Sequence, residues 1–181
     1  MSRLQAIDPS TAQGKSKELL DAVKTKLGLV PNMTRVMANS PAVLEGYLGF
    51  SGALASGLLS PKVREKLALL TAQQNHCDYC LSAHTAIGKM VGLTHEEIVA
   101  SREGSGESEK DSAALAFAKR VLDSKGQVSD ADLATARGAG LSDGEIAEII
   151  AHVALNVFTN YFNIATEVEI DFPKVTYSKI A

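Results

Sequence analysis

Cys77 and Cys80 are the only cysteines of this chain and stand as Cys77-Asp78-Tyr79-Cys80, with Glu65 twelve positions before the pair and His84 four after it. Two intervening residues let the sulfurs close a disulfide at a turn or at the first turn of a helix, and a nearby base can keep one sulfur as the reactive thiolate. At ~100° per residue, Cys77, Cys80 and His84 fall in one sector of a helix surface. His84 can therefore stand beside either sulfur and take its proton. Helix N-terminal amides also lower a thiol pKa, which by itself favours Cys77 as the more acidic cysteine. The competing reading is two inert buried cysteines beside an incidental core histidine.

Glu65 depends on where the chain turns. Along one unbroken helix, twelve residues span ~18 Å, too far for contact with Cys77. If the chain reverses at Asn75-His76, antiparallel helices bring Glu65 and His84 within a turn of each other. Glu65 then orients or recharges His84, as carboxylates do for catalytic bases. The alternative is a solvated carboxylate in a cluster with Lys62, Arg64 and Lys66.

The elements that must position these residues read as helices. Asp8-Pro9-Ser10 opens a helix to about Lys26, followed by Gly28 and a loop at Val30-Pro31-Asn32. Ser40-Pro41 and Ser60-Pro61 are N-cap and N1 pairs that start helices through Leu54 and about Gln74. A helix over about 78–90 carries Cys80 and His84, and others follow at about 109–125, 129–138 and 142–162. Thr94-His95-Glu96-Glu97 and Ser142-Asp143-Gly144-Glu145 fit capping boxes. Each follows Gly-Leu, so a Gly-Leu-[Ser/Thr]-x-x-Glu-Ile unit occurs twice, from helical duplication or a shared turn. The expected fold class is all-α, with no βαβ rhythm, which counts against a thioredoxin fold. The chain is read as one domain over 1–181: an N-terminal helical arm (1–40), CxxC-bearing helices (41–102), a second helical half (108–166) and an extended tail (167–181). The tail's alternating apolar residues would pack on the body or on a neighbouring subunit.

Composition narrows the partners. Hydrophobic residues make up 45% and charged residues 22%, the balance of a globular protein, and the formal net charge is −3. No basic block suggests nucleic acid or an anionic membrane surface as a partner. No signal peptide or membrane-spanning run is evident, so the expected location is cytoplasmic. There a cycling disulfide is more natural than a structural one.

The pattern Glu65, eleven residues, Cys77-x-x-Cys80, three residues, His84 resembles the signature of the alkylhydroperoxidase D (AhpD) family of the carboxymuconolactone decarboxylase superfamily, and the helical pattern from about Pro41 to Asn163 is also similar. The resemblance implies an all-helical fold, homo-oligomers (trimers or hexamers) and thiol-dependent reduction of organic hydroperoxides, with no cofactor and no metal. It implies that Cys80 is the peroxidatic sulfur, Cys77 the resolving cysteine and proton donor, and Glu65 and His84 a proton relay. A dithiol or thioredoxin-like protein would restore the pair. Tyr79 departs from the family's best-known site, which has a histidine before the second cysteine. Tyrosine is a poor base near neutral pH, and His76 is the nearest residue that could compensate.

Other readings remain open. A lactone enzyme like the superfamily's namesake would use His84 and Glu65 as acid and base without sulfur. A non-enzymatic redox sensor or zinc module would draw on Cys77, Cys80, His84 and His76. Further along, His152, Asn156, Asn160 and Asn163 recur at helical spacing. Such amides usually make interhelical hydrogen bonds. Alternatively Tyr79, His152, Asn156, Asn160 and Tyr161, with Phe162, line a substrate cavity.

Overall fold

A computed structural model describes residues 2–178. Among them lie nine helices and no strand: α1 (Gly14–Leu27), α2 (Asn32–Met37), α3 (Pro41–Ala55), α4 (Pro61–Gln74), α5 (Asp78–Met90), α6 (His95–Arg102), α7 (Glu109–Asp123), α8 (Asp130–Gly138) and α9 (Asp143–Thr166). The fold is all-α. None of these helices is long and apolar enough to cross a membrane.

Local chemistry explains most of the starts. Pro41 and Pro61 occupy the first turns of α3 and α4, where a missing N–H breaks no helical bond. Both expected capping boxes form, Thr94 with Glu97 and Ser142 with Glu145, and Ser129 with Asp132 adds a third. Gly92 and Gly140 precede the first two boxes at φ +87° and +89°, a conformation glycine takes without strain. The repeated unit thus makes the same turn twice, sending Leu93 and Ile98 into one core cluster and Leu141 and Ile146 into another.

Two elements differ from expectation. α1 begins at Gly14 rather than near Asp8, because the Asp8 carboxylate accepts both the N–H and the hydroxyl of Ser10, each at 2.8 Å. That Asx turn offers the backbone an alternative to helix. The loop expected at Val30–Asn32 instead runs straight into α2, whose first N–H is accepted by Asp171 Oδ2 at 2.7 Å. At six residues α2 is too short to show a periodicity, and its support comes from a residue 139 positions away.

α4 is the central helix, packing against α5, α6, α7 and α9. Lys66 through Ala72 are all buried, as expected of a helix covered on every side. Leu69 joins the cluster around Leu20, Leu44 and Leu81, while Leu67 and Leu70 join the one around Leu115 and Ile149. The buried Lys66 ammonium is paired with Asp111 at 2.7 Å and Glu97 at 3.6 Å. The segment 167–178 is not helical; it runs back over the chain's own α5, where the Val175 N–H donates to Ser82 Oγ and the Tyr177 N–H to Asp78 Oδ1, each at 2.9 Å. Val168 is buried, and Ile170, Phe172 and Val175 pack against the first cluster. Met1 and residues 179–181, the ends of the expected arm and tail, lie outside the described residues.

Candidate active site

The site is built on the turn between α4 and α5. Asn75 ends α4, His76 takes a left-handed φ of +56°, and the His76 and Cys77 N–H groups reach back to the carbonyls of Gln73 (3.2 Å) and Ala72 (3.0 Å). This is a Schellman closure. It delivers Cys77 as the N-cap of α5, with its Sγ accepting the Cys80 N–H at 3.2 Å. The Cys77 and Cys80 sulfurs lie within covalent reach, their Cα atoms 5.3 Å apart.

Because the chain reverses there, Glu65 on α4 meets His84 on α5: Oε2 lies 2.7 Å from Nδ1. A carboxylate can only accept, so Nδ1 carries the hydrogen and Nε2 is the ring's free nitrogen. Both side chains are largely shielded, at 16% and 22% exposure, so Glu65 does not behave as a solvated member of a surface charge cluster.

Cys80, His84, Glu65 and Tyr79 line one cavity of about 560 Å³, within the range of small-molecule sites. Both cysteines are buried, Cys77 at 1% and Cys80 at 3% exposure, but only Cys80 lines it. Cys80 is therefore the sulfur that faces the cavity, with Cys77 behind it. Leu48, Ala68, Ala83 and Leu155 make much of the wall apolar.

α9 supplies the opposite wall, and it divides the polar stripe. His152, Asn156, Thr159 and Asn163 line the cavity. Asn160 does not; its Oδ1 accepts from Asn75 Nδ2 at 3.0 Å, tying α9 to the end of α4. Tyr161 also stays out of the wall, at 59% exposure. At ~100° per residue Tyr161 points nearly opposite Thr159, whereas Asn160 shares the stripe and is engaged by Asn75 instead, so neither lines the cavity as expected. Asn156 donates to the His152 carbonyl at 2.8 Å within its own helix. Thr159, although in phase with the stripe, is not a residue the amide spacing singles out.

Asn163 holds a position the sequence did not single out for the sulfur. Its Nδ2 lies 3.3 Å from Cys80 Sγ and 3.3 Å from Met33 Sδ. Tyr79 is fixed differently: its hydroxyl oxygen accepts the Met33 N–H at 3.1 Å, and its ring meets Phe172 edge-on. Burial, with the Asp171 charge adding to it, pushes the Tyr79 phenol far above the ordinary tyrosine range, so it stays neutral and cannot act as a base. His76 does not compensate either, because its ring stacks on Tyr177 with centroids 4.3 Å apart. Among the described residues, no three His, Cys, Asp or Glu side chains converge as a metal-binding group.

Burial first, then the Arg64 charge, hold the His152 imidazole below its ordinary 6.5, against the opposing pull of Glu148 and Glu65. The unfolded chain therefore takes up a proton near that value which the fold resists. Stability from this group is present above pH 6.5 and lost as pH falls below it. His152→Gln is expected to flatten the decline in urea midpoint between about pH 7 and pH 5. Equal slopes for the two proteins would refute it.

The profile of the carboxymuconolactone decarboxylase family matches residues 41–123, the stretch that holds Glu65, Cys77, Cys80 and His84. No curated protein matches the chain in sequence. Solved structures are similar over nearly all of it. A peroxidase-related protein with an alkylhydroperoxidase AhpD core from Ralstonia eutropha JMP134 has a TM-score of 0.85 at 23% identity, covering 94% of this chain and 92% of that one. A peroxidase-related protein from Silicibacter sp. TM1040 has a TM-score of 0.78 at 21% identity over 100% of both chains. The debrominase Bmp8, in complex with 2,3,4-tribromopyrrole, has a TM-score of 0.76 at 19% identity, covering 93% and 91%. At these identities the likeness establishes the fold and leaves the chemistry to the site.

Proposed function

We propose that this chain, whose residues 41–123 match the carboxymuconolactone decarboxylase family profile within an AhpD-like fold, is a thiol-dependent peroxidase reducing organic hydroperoxides through Cys80 and Cys77. One observation carries the reading: Cys80 lines a largely apolar cavity together with the hydrogen-bonded His84–Glu65 pair, while Cys77 waits behind it within covalent reach. In the proposed cycle, His84 Nε2 takes the proton of the Cys80 thiol, and the resulting thiolate attacks the terminal oxygen of the hydroperoxide. The S–O bond forms, the O–O bond breaks, and the leaving alkoxide takes a proton from His84. The Cys77 thiol then condenses with the sulfenic acid, releasing water and leaving a disulfide. A dithiol, free or on a thioredoxin-like protein, reduces that disulfide by exchange, as suits a cytoplasmic enzyme.

Fold alone does not choose the electrophile, since a debrominase shares it. The lactone reading keeps His84 and Glu65 but gives the adjacent sulfurs nothing to do. Mass spectrometry of the Cys77/Cys80 peptide after one equivalent of an organic hydroperoxide tests the proposal. The reduced pair is expected to convert to the disulfide, and a dithiol to restore it. A pair that stays reduced, or lactone turnover that survives alkylation of both cysteines, would sink it.

Homo-oligomerisation belongs to the same reading. α3 buries only Leu44 fully, and Phe50 on it and Ile150, Phe158 and Tyr161 on α9 are 40–59% exposed, an apolar surface that a second copy would cover. Sedimentation should return an oligomer; a monomer at micromolar concentration would contradict this.

A further inference from the structure

We propose that Asn163 is a further catalytic residue, its amide N–H holding the Cys80 thiolate and its carbonyl oxygen receiving the O–H of the hydroperoxide. This rests on the peroxidase reading above.

The amide's orientation is decided by its neighbours. Nδ2 lies 3.3 Å from both Met33 Sδ and Cys80 Sγ. A thioether can only accept, so the atom facing Met33 must be the nitrogen. Both amide hydrogens are thereby committed to sulfur, one of them to the cavity-facing cysteine. A charge-assisted bond to a thiolate is stronger than one to a neutral thiol, so it lowers the thiol pKa.

The other end of the same amide is unoccupied. Asn163 Oδ1 is buried and has no hydrogen-bond partner, although the residue is only 3% exposed. An orphaned buried carbonyl is a standing cost that an entering donor relieves. Asn163 and Cys80 line the same cavity, so the donor that fits is one arriving at the sulfur. An organic hydroperoxide carries its single O–H on the terminal oxygen, the atom the thiolate must attack. Binding that O–H to Oδ1 would set the terminal oxygen beside Sγ, with the alkyl group toward the apolar wall. As S–O forms and O–O breaks, that hydrogen stays on the oxygen and becomes the O–H of the sulfenic acid, still held by Oδ1. The alkoxide leaves with the electron pair of the O–O bond and takes its proton from His84. The seat selects hydroperoxides over dialkyl peroxides, which have no O–H to offer. It also explains how the site manages with Tyr79 beside the sulfur: the stabilising group comes from α9 instead.

The test uses the full chain in a Cys77→Ser background, so that Cys80 is the only thiol. Iodoacetamide alkylation is followed against pH, and single-turnover oxidation by cumene hydroperoxide is measured above the thiolate midpoint. Asn163→Leu is expected to raise the alkylation midpoint by about one pH unit or more and to slow the oxidation about 10- to 100-fold. Asn163→Asp, nearly the same shape, should raise the midpoint too, because it replaces the donor with a negative charge. Asn163→Asp also keeps the test decisive if the leucine variant fails to fold, as thermal melts would reveal. An unmoved midpoint in a folded variant, with normal oxidation by hydroperoxide, overturns this proposal alone. If the Cys77→Ser parent does not react with hydroperoxide at all, the peroxidase reading falls and takes the hydroperoxide seat with it. A dialkyl peroxide consumed as fast as cumene hydroperoxide overturns the O–H seat.

Discussion

Cys80→Ser is expected to abolish hydroperoxide turnover, by a factor on the order of 10³ or more, whereas Cys77→Ser should still consume one equivalent and stop. The asymmetry follows from position. Cys80 lines the cavity; Cys77, the N-cap of α5, does not. A hydroperoxide entering the cavity meets Cys80 first. Serine there has an ordinary hydroxyl that no residue of the site can ionise at neutral pH, so the attack has no nucleophile. Without Cys77 the first step survives, but the sulfenic acid has no thiol to condense with. A dimedone adduct on Cys80, seen by mass spectrometry in Cys77→Ser and not in the protein with both cysteines, is the expected signature. The reverse result, full turnover by Cys80→Ser and none by Cys77→Ser, would exchange the two roles. It would also return the decision to the helix-terminus argument that favours Cys77.

The second large effect concerns the pair that shares the cavity with the sulfur. His84→Ala is expected to lower the turnover rate by about 10²-fold or more, the usual worth of a positioned acid–base group. Glu65→Gln should cost about 10- to 100-fold, because glutamine can turn an N–H toward Nδ1 and select the wrong imidazole tautomer. The 2.7 Å contact makes the two residues one unit. Losses in the double variant should therefore be no greater than in His84→Ala alone. Multiplying losses, with unchanged melting temperatures, would show that Glu65 and His84 act independently and that the relay does not exist.

The Glu65–His84 contact was legible in the sequence only through its turn. Glu65 and His84 are 19 positions apart, and no helical period relates them. What brought them together was the helix-ending character of Asn75-His76, a local signal whose consequence is long-range. The capping boxes were readable for a similar reason, since their bonds join residues three apart. The cavity was less accessible. The polar stripe on α9 was visible as a stripe, but Asn160 turned to Asn75 while Asn163 turned to Cys80. Periodicity says which residues share a face, not which neighbour that face meets.

The sequence by itself determined what is local: the CxxC pair, the all-helical fold, the helix starts from α3 onward, and the reversal that sets α4 beside α5. These rest on backbone preferences and bonds within a few residues, and composition and spacing record such interactions directly. Only the tertiary structure decided which sulfur faces the cavity, which amide holds it, and that His76 is drawn away onto Tyr177. Those outcomes depend on how α2, α9 and the 167–178 segment close over α5. Packing between elements far apart in the chain is set by the shapes of whole faces, and no residue spacing encodes it.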